Sequence, residues 1–387
     1  MEHRQNVWGG LTLVSASLAM ILTAILFLGN GVAWGQTNIE NLTSGDVYMN
    51  STHYNNGSAI ANLPGAPGGL EQGRIHADDG DILANSTVLI NVSNITSTLG
   101  DISLINGSSI TINSSGTAVG NGTISAGGSI LIDKSTLNVS ESTNGNVTIT
   151  AVDSIILNNG TINEAAGFID YINSTDGSVT IDNYSSINIS GNISGNISVE
   201  ILNHSKVNVS DIVVTEGYLN ISNGSVVVAT GNIKANTSIY INSSNVTVDG
   251  DLKATHGEIQ IIDAGNITTA NISANTSINI SGGTGNITTG NISTTVGNIS
   301  FSDTYNLTVR GNITANNSVI IERGNVTITG DLNTTSGEIK IINADTVTTA
   351  NISANTSINI SGGTGNITTG NLSTTVGNIS FSDTYNL

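Results

Sequence analysis

The most frequent motif in this sequence that can undergo a chemical modification is Asn-x-Ser/Thr, the acceptor for N-linked glycans. The chain contains 54 asparagines, and 42 of them are followed two positions later by Ser or Thr. Ser and Thr make up about one quarter of the residues, a share that predicts only about 14 such motifs. The excess predicts partial N-glycosylation, with these candidate acceptors: Asn242, Asn279, Asn286, Asn298, Asn359 and Asn366.

A structural explanation of the same motif stays open. In a β-strand, residues i and i+2 point to the same face, and the polar residues of this chain are mostly Asn, Ser and Thr. In Asn279-Ile280-Ser281, for example, we expect the Ile to point inward and the Asn outward. Strands stacked about 4.8 Å apart leave too little space for a glycan on every motif. We therefore expect only part of the motifs to be occupied.

Two acidic turns are the next candidates, because Ca²⁺ binds converging carboxylate and carbonyl oxygens. They are Asp78-Asp79-Gly80-Asp81 and Asp249-Gly250-Asp251. The second turn becomes Thr329-Gly330-Asp331 in the next long repeat, so one carboxylate is lost. The nonapeptide calcium-binding repeat is absent. We therefore expect solvated turn acids and no metal ligands.

A catalytic site would interrupt the repeats with a unique cluster of acids, bases or nucleophiles, and the sequence contains no such cluster. The histidines are isolated along the chain: His3, His53, His76, His204 and His256. Four aromatic residues are expected to fill or flank structural units: Tyr218, Tyr240, Phe301 and Tyr305. The sequence therefore predicts no catalytic residue and no cofactor.

The overall charge is strongly acidic, at −19, with 28 Asp and Glu against 9 Lys and Arg. The basic residues are scattered from Arg4 to Lys340. Nucleic acids and anionic membranes both require clustered cations, so neither is an expected partner. The absence of Cys excludes a disulfide framework and Cys-based metal sites.

The N-terminus has the order of a secretory signal. Arg4 precedes an apolar run from Leu11 to Gly29, which is followed by Ala33-Trp34-Gly35. This order predicts a signal peptide at 1–35 that is cleaved near Gly35. The apolar run is also long enough to span a bilayer, so an uncleaved anchor stays open as the one route to a membrane. Both interpretations place the remaining residues outside the cytoplasm.

Internal repeats determine where the candidate residues after the leader lie in the fold. Residues 271–290 recur without change at 351–370, and a shift of 80 also aligns 244–262 with 324–342. A shorter period of about 20 lies inside the 80. It is visible in the segments NIKANTSIYI, DLKATHGEIQI, NISANTSINI and NISTTVGNISF.

Each 20-residue unit reads as short strands. Apolar and polar residues alternate, as at Ile278 and Ile280, which is typical of half-buried strands, and Gly, Asn, Ser and Asp supply the turns. One unit cannot fold alone, because about six aliphatic side chains at roughly 2 kcal/mol each do not offset about 1.5 kcal/mol for each ordered residue. Stacking the units gives each strand partners above and below.

The predicted fold is all-β, a single-stranded parallel β-helix with coils of about 20 residues, right-handed by crossover chirality. A string of antiparallel sandwich domains is the alternative, which the 20-residue period and the scarcity of aromatic residues disfavour. The predicted domains are the leader at 1–35, an N-terminal segment at 36–80 that is a candidate cap, and the β-helix at 81–387. The β-helix includes 80-residue duplications at 231–310 and 311–387, and we expect truncation at its C-terminal end.

The repeats resemble those of filamentous-haemagglutinin-like exoproteins and autotransporter-type adhesins. The strings that carry the resemblance are GSILI (128–132), GNVTITA (145–151) and GDLNTTSGEIKI (330–341). The resemblance is one of pattern and composition over nearly all of the chain after the leader, and it implies stacked coils at a cell surface. No secretion-domain signature of those families stands between Gln36 and Asp81, so their secretion route is not implied.

The expected function is that of a secreted, extracellular adhesin or envelope-coat component at the cell surface, without enzymatic activity. The expected partners are a host or neighbouring cell surface, glycans or other envelope proteins. Two alternatives stay open. One is a purely structural spacer, and the other is a carbohydrate-active β-helix enzyme, a polysaccharide lyase or hydrolase, whose site would lie outside this chain.

Overall fold

The computed structural model describes residues 47–50, 53–55, 74–77, 80–85, 88–92, 94–113, 122–140, 146–164, 168–363 and 365–383. The chain divides into two units, Met1–Asn38 and Ile39–Leu387, and all of the described residues belong to the second. The predicted signal peptide at 1–35 lies outside the described residues, as do Asp78 and Asp79 of the first acidic turn.

The described residues form strands and turns, with no helix among them, and hence none that could cross a membrane. The strands of the less regular N-terminal half are β1 (Val47–Asn50), β2 (His53–Asn55), β3 (Arg74–Ala77), β4 (Ile82–Asn85), β5 (Val88–Val92), β6 (Asn94–Ser97), β7 (Ile102–Ile105), β8 (Ser109–Asn113), β9 (Gly122–Ala126), β10 (Ile130–Asp133), β11 (Thr136–Ser140), β12 (Asn146–Ala151), β13 (Ile155–Asn158), β14 (Thr161–Glu164), β15 (Phe168–Ser174), β16 (Ser178–Asp182), β17 (Ser186–Asn188), β18 (Asn192–Gly195), β19 (Ser198–Ile201), β20 (Lys206–Val209) and β21 (Ile212–Val214).

The strands of the regular half are β22 (Tyr218–Ser222), β23 (Val226–Ala229), β24 (Ile233–Ala235), β25 (Ile239–Asn242), β26 (Asn245–Val248), β27 (Leu252–Ala254), β28 (Ile259–Ile262), β29 (Ile267–Thr268), β30 (Ile272–Ala274), β31 (Ile278–Ser281), β32 (Asn286–Thr289), β33 (Ile292–Thr294), β34 (Ile299–Val309), β35 (Ile313–Ala315), β36 (Val319–Ile328), β37 (Leu332–Thr334), β38 (Ile339–Ile342), β39 (Thr346–Thr348), β40 (Ile352–Ala354), β41 (Ile358–Ser361), β42 (Asn366–Thr368), β43 (Leu372–Thr374) and β44 (Ile379–Ser382).

Three strands make one coil, and each strand pairs in parallel with its counterpart in the next coil. The first ladder begins β1, β4, β7, the second β2, β5, β8, and the third β3, β6, β9. The third ladder is a separate sheet of 15 strands. The first two ladders join into a sheet of 29 strands, because β34 and β36 run through the corner between them. The predicted all-β parallel β-helix is thus confirmed.

The strand register accounts for the nested repeats. In the first ladder Ile239 pairs with Ile259, Ile259 with Ile278, Ile278 with Ile299, and Ile299 with Val319. Four coils therefore lead from Ile239 to Val319, which is the same displacement that aligns the long repeats. Some coils are slightly longer or shorter than others, and the extra or missing residues lie in the corners. Over the four coils of a long repeat these differences sum to zero.

Some of the earlier coils are longer. The first-ladder steps from Ile102 to Ile130 and from Ile155 to Val179 both advance further along the chain than the step from Ile239 to Ile259 in the regular half. In several of these coils, residues outside the described ones, such as 114–121, stand between the second-ladder and third-ladder strands.

The N-terminal segment at 36–80, the candidate cap, contains strands β1 to β3. These strands pair in parallel with β4 to β6 of the next coil. The described part of this segment therefore adds one strand to each of the three ladders.

The interior is a narrow column of Ile, Val, Leu and Ala. Phe301 is the single aromatic residue among the described core residues, and it is fully buried between its register partners Ile280 and Ile321. Phe381 stands at the equivalent place in the next long repeat, pairs with Ile360 and is 43% exposed. The same side chain is therefore buried only where a further coil covers it.

Glycine recurs at the third corner, which joins a third-ladder strand to the next first-ladder strand. A Cβ atom on Gly297 would lie 1.3 Å from the main-chain oxygen of Thr276 in the preceding coil. Glycines at the same corner of every second coil share this close approach to a main-chain oxygen, at 1.6 to 2.5 Å: Gly217, Gly257, Gly337 and Gly377. Two successive coils therefore pack main chain against main chain at this corner.

Candidate functional site

The outer surface of the coils carries the predicted glycan acceptors. Asn242, Asn286, Asn298 and Asn366 are exposed, whereas Asn279 and Asn359 are half-buried. The residue after a strand Asn points inward, as expected: Ile280 is fully buried and Ile287 is 5% exposed. The orientation predicted from the strand alternation is confirmed, and glycosylation itself stays a prediction.

Two of these acceptors leave the glycan-accepting nitrogen unoccupied. Asn286 Oδ1 accepts a hydrogen bond from Asn306 Nδ2 at 2.9 Å, and Asn298 Oδ1 accepts one from the main-chain N–H of Ser318 at 3.0 Å. Among the described residues nothing accepts a hydrogen bond from Nδ2 of Asn286 or Asn298. Each side chain is therefore held by its oxygen, with its nitrogen available for modification.

Asn242 has a different environment because it stands at a corner. The next residue, Ser243, has a φ of 52°, and Ser244 is buried and donates its hydroxyl to the main-chain oxygen of Asn242 at 2.9 Å. The hydroxyl that completes this Asn-Ser-Ser motif is therefore occupied inside the corner.

The sequence analysis missed a column of side chains at the second corner, between the second-ladder and third-ladder strands. At each step an Oδ1 atom accepts a hydrogen bond from the main-chain N–H or the amide of the residue one coil later. We call this column the Asx ladder, and its members are Asn192, Asp211, Asn232, Asp251, Asn271, Asn291, Asn312, Asp331, Asn351 and Asn371.

The Asx ladder distinguishes two structural classes of Asn-x-Ser/Thr motif. In one class, which includes Asn286, Nδ2 has no acceptor among the described residues, and in the other Nδ2 binds the preceding coil. In Asn271, Asn291 and Asn351 the Nδ2 donates to the carboxyl or amide oxygen one coil earlier, at 2.7, 2.9 and 2.8 Å. These motifs use both ends of the amide to hold neighbouring coils together. The signal in the sequence is an Asn or Asp that recurs once in each coil, directly before the third-ladder strand or, at Asn192, as its first residue.

We expect Asn291→Ala to lower the free energy of unfolding by about 1 kcal/mol. The change removes the acceptor for the main-chain N–H of Asn312, at 2.9 Å, and the donor to Asn271. Asn291→Asp is the control, because it keeps the Oδ1 atom and Asp occupies this ladder at Asp251. Urea unfolding followed by circular dichroism measures both, and equal losses for Ala and Asp would contradict a role for the oxygen.

Left-handed residues form a second column, at the first corner between the first-ladder and second-ladder strands. At least one residue in most of these corners has a positive φ, where Asn, Asp and Gly are the least strained. The non-glycine residues of this column are Asn106, Lys134, Asn159, Asn183, Tyr184, Asn203, His204, Asn223, Ser243, Asp263, Asp303, Arg323, Asn343 and Asp383. Part of the Asn and Asp content of the chain is thereby explained by backbone geometry.

The second acidic turn is part of the coil structure. Asp251 belongs to the Asx ladder and accepts a hydrogen bond from Asn271 Nδ2 at 2.7 Å, and Asp249 is exposed. In the described part of the chain there is no group of three or more His, Asp or Glu residues placed to hold a metal ion.

Tyr218 and Tyr240 lie half-buried on the outer face of the first ladder, where their rings meet edge to face at 6.3 Å. The Tyr218 hydroxyl donates to Glu200 Oε1 at 2.5 Å. This hydrogen bond raises the pKa of Tyr218, with partial burial adding to the effect. The pair flanks the coils, as the sequence predicts, while the side chain of Tyr305 lies outside the described residues.

No known protein family, no curated protein and no solved structure matches this chain.

Proposed function

We propose that this protein is a secreted structural or adhesive component of the cell surface, in which stacked coils present one array of polar side chains many times over. The observation that carries the proposal is the repeated outer face: the aliphatic residues point inward, and Asn, Ser and Thr recur outside at intervals of one coil. On a repeated surface many weak contacts can combine into tight binding, because linked sites bind with a high effective concentration.

The composition supports an extracellular location. The apolar run and small residues of 1–35 predict export, the net charge of −19 favours solubility and disfavours self-association, and exposed Asn-x-Ser/Thr motifs are expected on exported surfaces. The resemblance to filamentous-haemagglutinin-like exoproteins and autotransporter-type adhesins points the same way.

Antibody labelling of the producing cells tests the location. We expect an antibody against the coils to label intact cells, and beads coated with the purified chain to adhere to cells or to isolated envelopes. Labelling only after the cells are permeabilised would overturn the proposal. Release of unsaturated or reducing ends from polygalacturonate by the purified chain would replace it with an enzymatic function.

N-glycosylation is part of the proposal, and the two classes of motif make it specific. We expect a glycan at Asn286 and none at Asn291, because Asn286 Nδ2 has no acceptor among the described residues and Asn291 Nδ2 donates to Asn271 across the coils. Glycopeptide mass spectrometry of the protein from its native cell measures both sites.

Asn286→Gln is the matched variant for this prediction and should remove one glycan mass, whereas Asn291→Gln should leave the mass distribution unchanged apart from the substitution. Equal occupancy at the two sites would contradict the structural distinction. An unmodified chain from native cells would refute glycosylation and leave the coil architecture unaffected.

A further inference from the structure

Two aromatic residues, Tyr184 and His204, occupy the first corner of two successive coils. The rings of Tyr184 and His204 stack with centroids 5.1 Å apart and planes inclined by 21°. Both residues are exposed, and Tyr184 is exposed to 70%. Gly224 occupies the same place in the following coil, where an added Cβ would lie 3.1 Å from the His204 ring.

The backbone at these two positions is strained for a bulky residue. Tyr184 has a φ of 60° and His204 a φ of 64°. In two other coils the corresponding residue, which follows the first left-handed residue and precedes a buried Ser, is Gly107 with a φ of 81° or Gly224 with a φ of 75°. A positive φ is costly for aromatic residues and free for glycine. The fold itself therefore prefers glycine at the places that Tyr184 and His204 occupy.

Strain of this kind together with exposure indicates a role in binding. A buried aromatic ring would offset the backbone cost by packing, but most of the Tyr184 surface is open to solvent. The stack places the His204 ring against one face of the Tyr184 ring, and this contact restricts the orientations open to the Tyr184 side chain. A flat apolar surface that is held rigid loses little entropy when a ligand covers it.

An asparagine precedes each ring in the chain, Asn183 before Tyr184 and Asn203 before His204. Asn183 Nδ2 donates to Asn158 Oδ1 at 2.6 Å, and Asn203 Nδ2 donates to Asp182 Oδ1 at 2.6 Å. Each primary amide has two N–H groups, so these bonds orient the side chains and leave further hydrogen-bonding capacity.

A saccharide ring fits this combination, because it has an apolar C–H face and a rim of hydroxyl groups. A nucleic acid does not fit, since its phosphates would meet Asp182 and a chain of net charge −19. We propose that Tyr184 and His204 form a platform on which a neutral saccharide ring stacks, with the amides of Asn183 and Asn203 binding its hydroxyl groups. This inference rests on the proposed surface function and gives that function a ligand class.

The test uses the full chain and an array of immobilised neutral oligosaccharides, composed of gluco-, galacto-, manno- and N-acetylglucosamine oligomers. Binding to at least one of them is expected. Tyr184→Gly and His204→Gly should each weaken that binding at least about tenfold, as expected for the loss of one aromatic contact. Tyr184→Phe keeps the ring and should bind like the parent chain.

Stability separates a binding role from a structural one. Glycine at positions 184 and 204 relieves the positive-φ strain, so the urea midpoints of both variants should equal or exceed that of the parent chain. Tyr171→Ser is the control, because Tyr171 is an aromatic residue that is 37% exposed on β15, in the third ladder, and its loss should leave saccharide binding unchanged.

No binding to any oligosaccharide of the array, or equal binding by the parent chain and Tyr184→Gly, would overturn the platform. Lower stability of both glycine variants would also overturn it and assign the pair a packing role. These outcomes are independent of the location of the protein, so a cell-surface protein without a functional platform is distinguishable from a protein that is absent from the surface.

Discussion

Phe301→Ala should lower the free energy of unfolding by about 3–5 kcal/mol, the range for deleting a fully buried aromatic side chain. Phe301 is completely buried in the column, and its register partners Ile280 and Ile321 are themselves fully buried. The aliphatic residues around it are held by main-chain ladders on both sides, so the coils cannot close the cavity by collapsing. Urea unfolding, followed by far-UV circular dichroism, measures the loss.

Phe381→Ala is the matched control for this prediction. Residues 297–307 and 377–387 have the same sequence, so the local context of the two phenylalanines is identical, and only the covering coil differs. Because Phe381 is 43% exposed, its replacement in this chain should cost less than half as much. Similar losses for the two variants would show that burial by the next coil does not determine the stability of a unit.

Gly297→Ala should also lower the free energy of unfolding strongly, by about 3 kcal/mol, at the upper end for overpacked sites. The added Cβ would lie 1.3 Å from the main-chain oxygen of Thr276. The backbone fixes the position of the Cβ, and the oxygen is itself a backbone atom, so no side-chain rotation can relieve the clash. Relief requires the two coils to separate at the third corner, which weakens the adjoining strand pairs. The urea midpoint reports the loss of stability. Deuterium exchange of the main-chain amide of Ile278, which donates to the main-chain oxygen of Asn298 at 3.0 Å across these two coils, reports the separation.

Gly107→Ala is the contrast, because it isolates backbone conformation from contact. Gly107 has a φ of 81°, and nothing lies within 4 Å of a Cβ placed on it, so the expected loss is only about 1 kcal/mol. If Gly297→Ala proved as mild as Gly107→Ala, the close approach of the coils at Gly297 would be refuted.

The parts of the fold that the sequence predicts are those with a short period. Alternation in Asn279-Ile280-Ser281 places the Ile inward, as it does in the structure, and the identity of 271–290 with 351–370 requires the same environment every four coils. Both signals depend on neighbours in the sequence or on exact repetition. They are sufficient for the ladder architecture and for the outward position of the acceptors.

The features that escaped prediction depend on contacts between coils. His204 is isolated along the sequence, and its stacking partner Tyr184 stands one coil earlier, so the contact is visible only once the register is known. The Asx ladder is hidden for the same reason, since Asn271 and Asn291 look like ordinary glycan acceptors until their amides are seen to bridge coils. The longer coils before Val179 have no regular period from which a register could be read.

The most direct test of the stacked register is a disulfide between adjacent coils, since the chain has no Cys of its own. Asn279 and Ser300 are register partners on the outer face of the first ladder, and strands about 4.8 Å apart lie within the range that a disulfide can bridge. Asn279→Cys with Ser300→Cys should therefore cross-link almost completely under mild oxidation within one chain. Asn279→Cys with Asn359→Cys, in identical sequence surroundings but four coils apart, should stay reduced. Cross-linking of the second pair within one chain, or failure of the first, would contradict the parallel stack on which the proposed repeated surface depends.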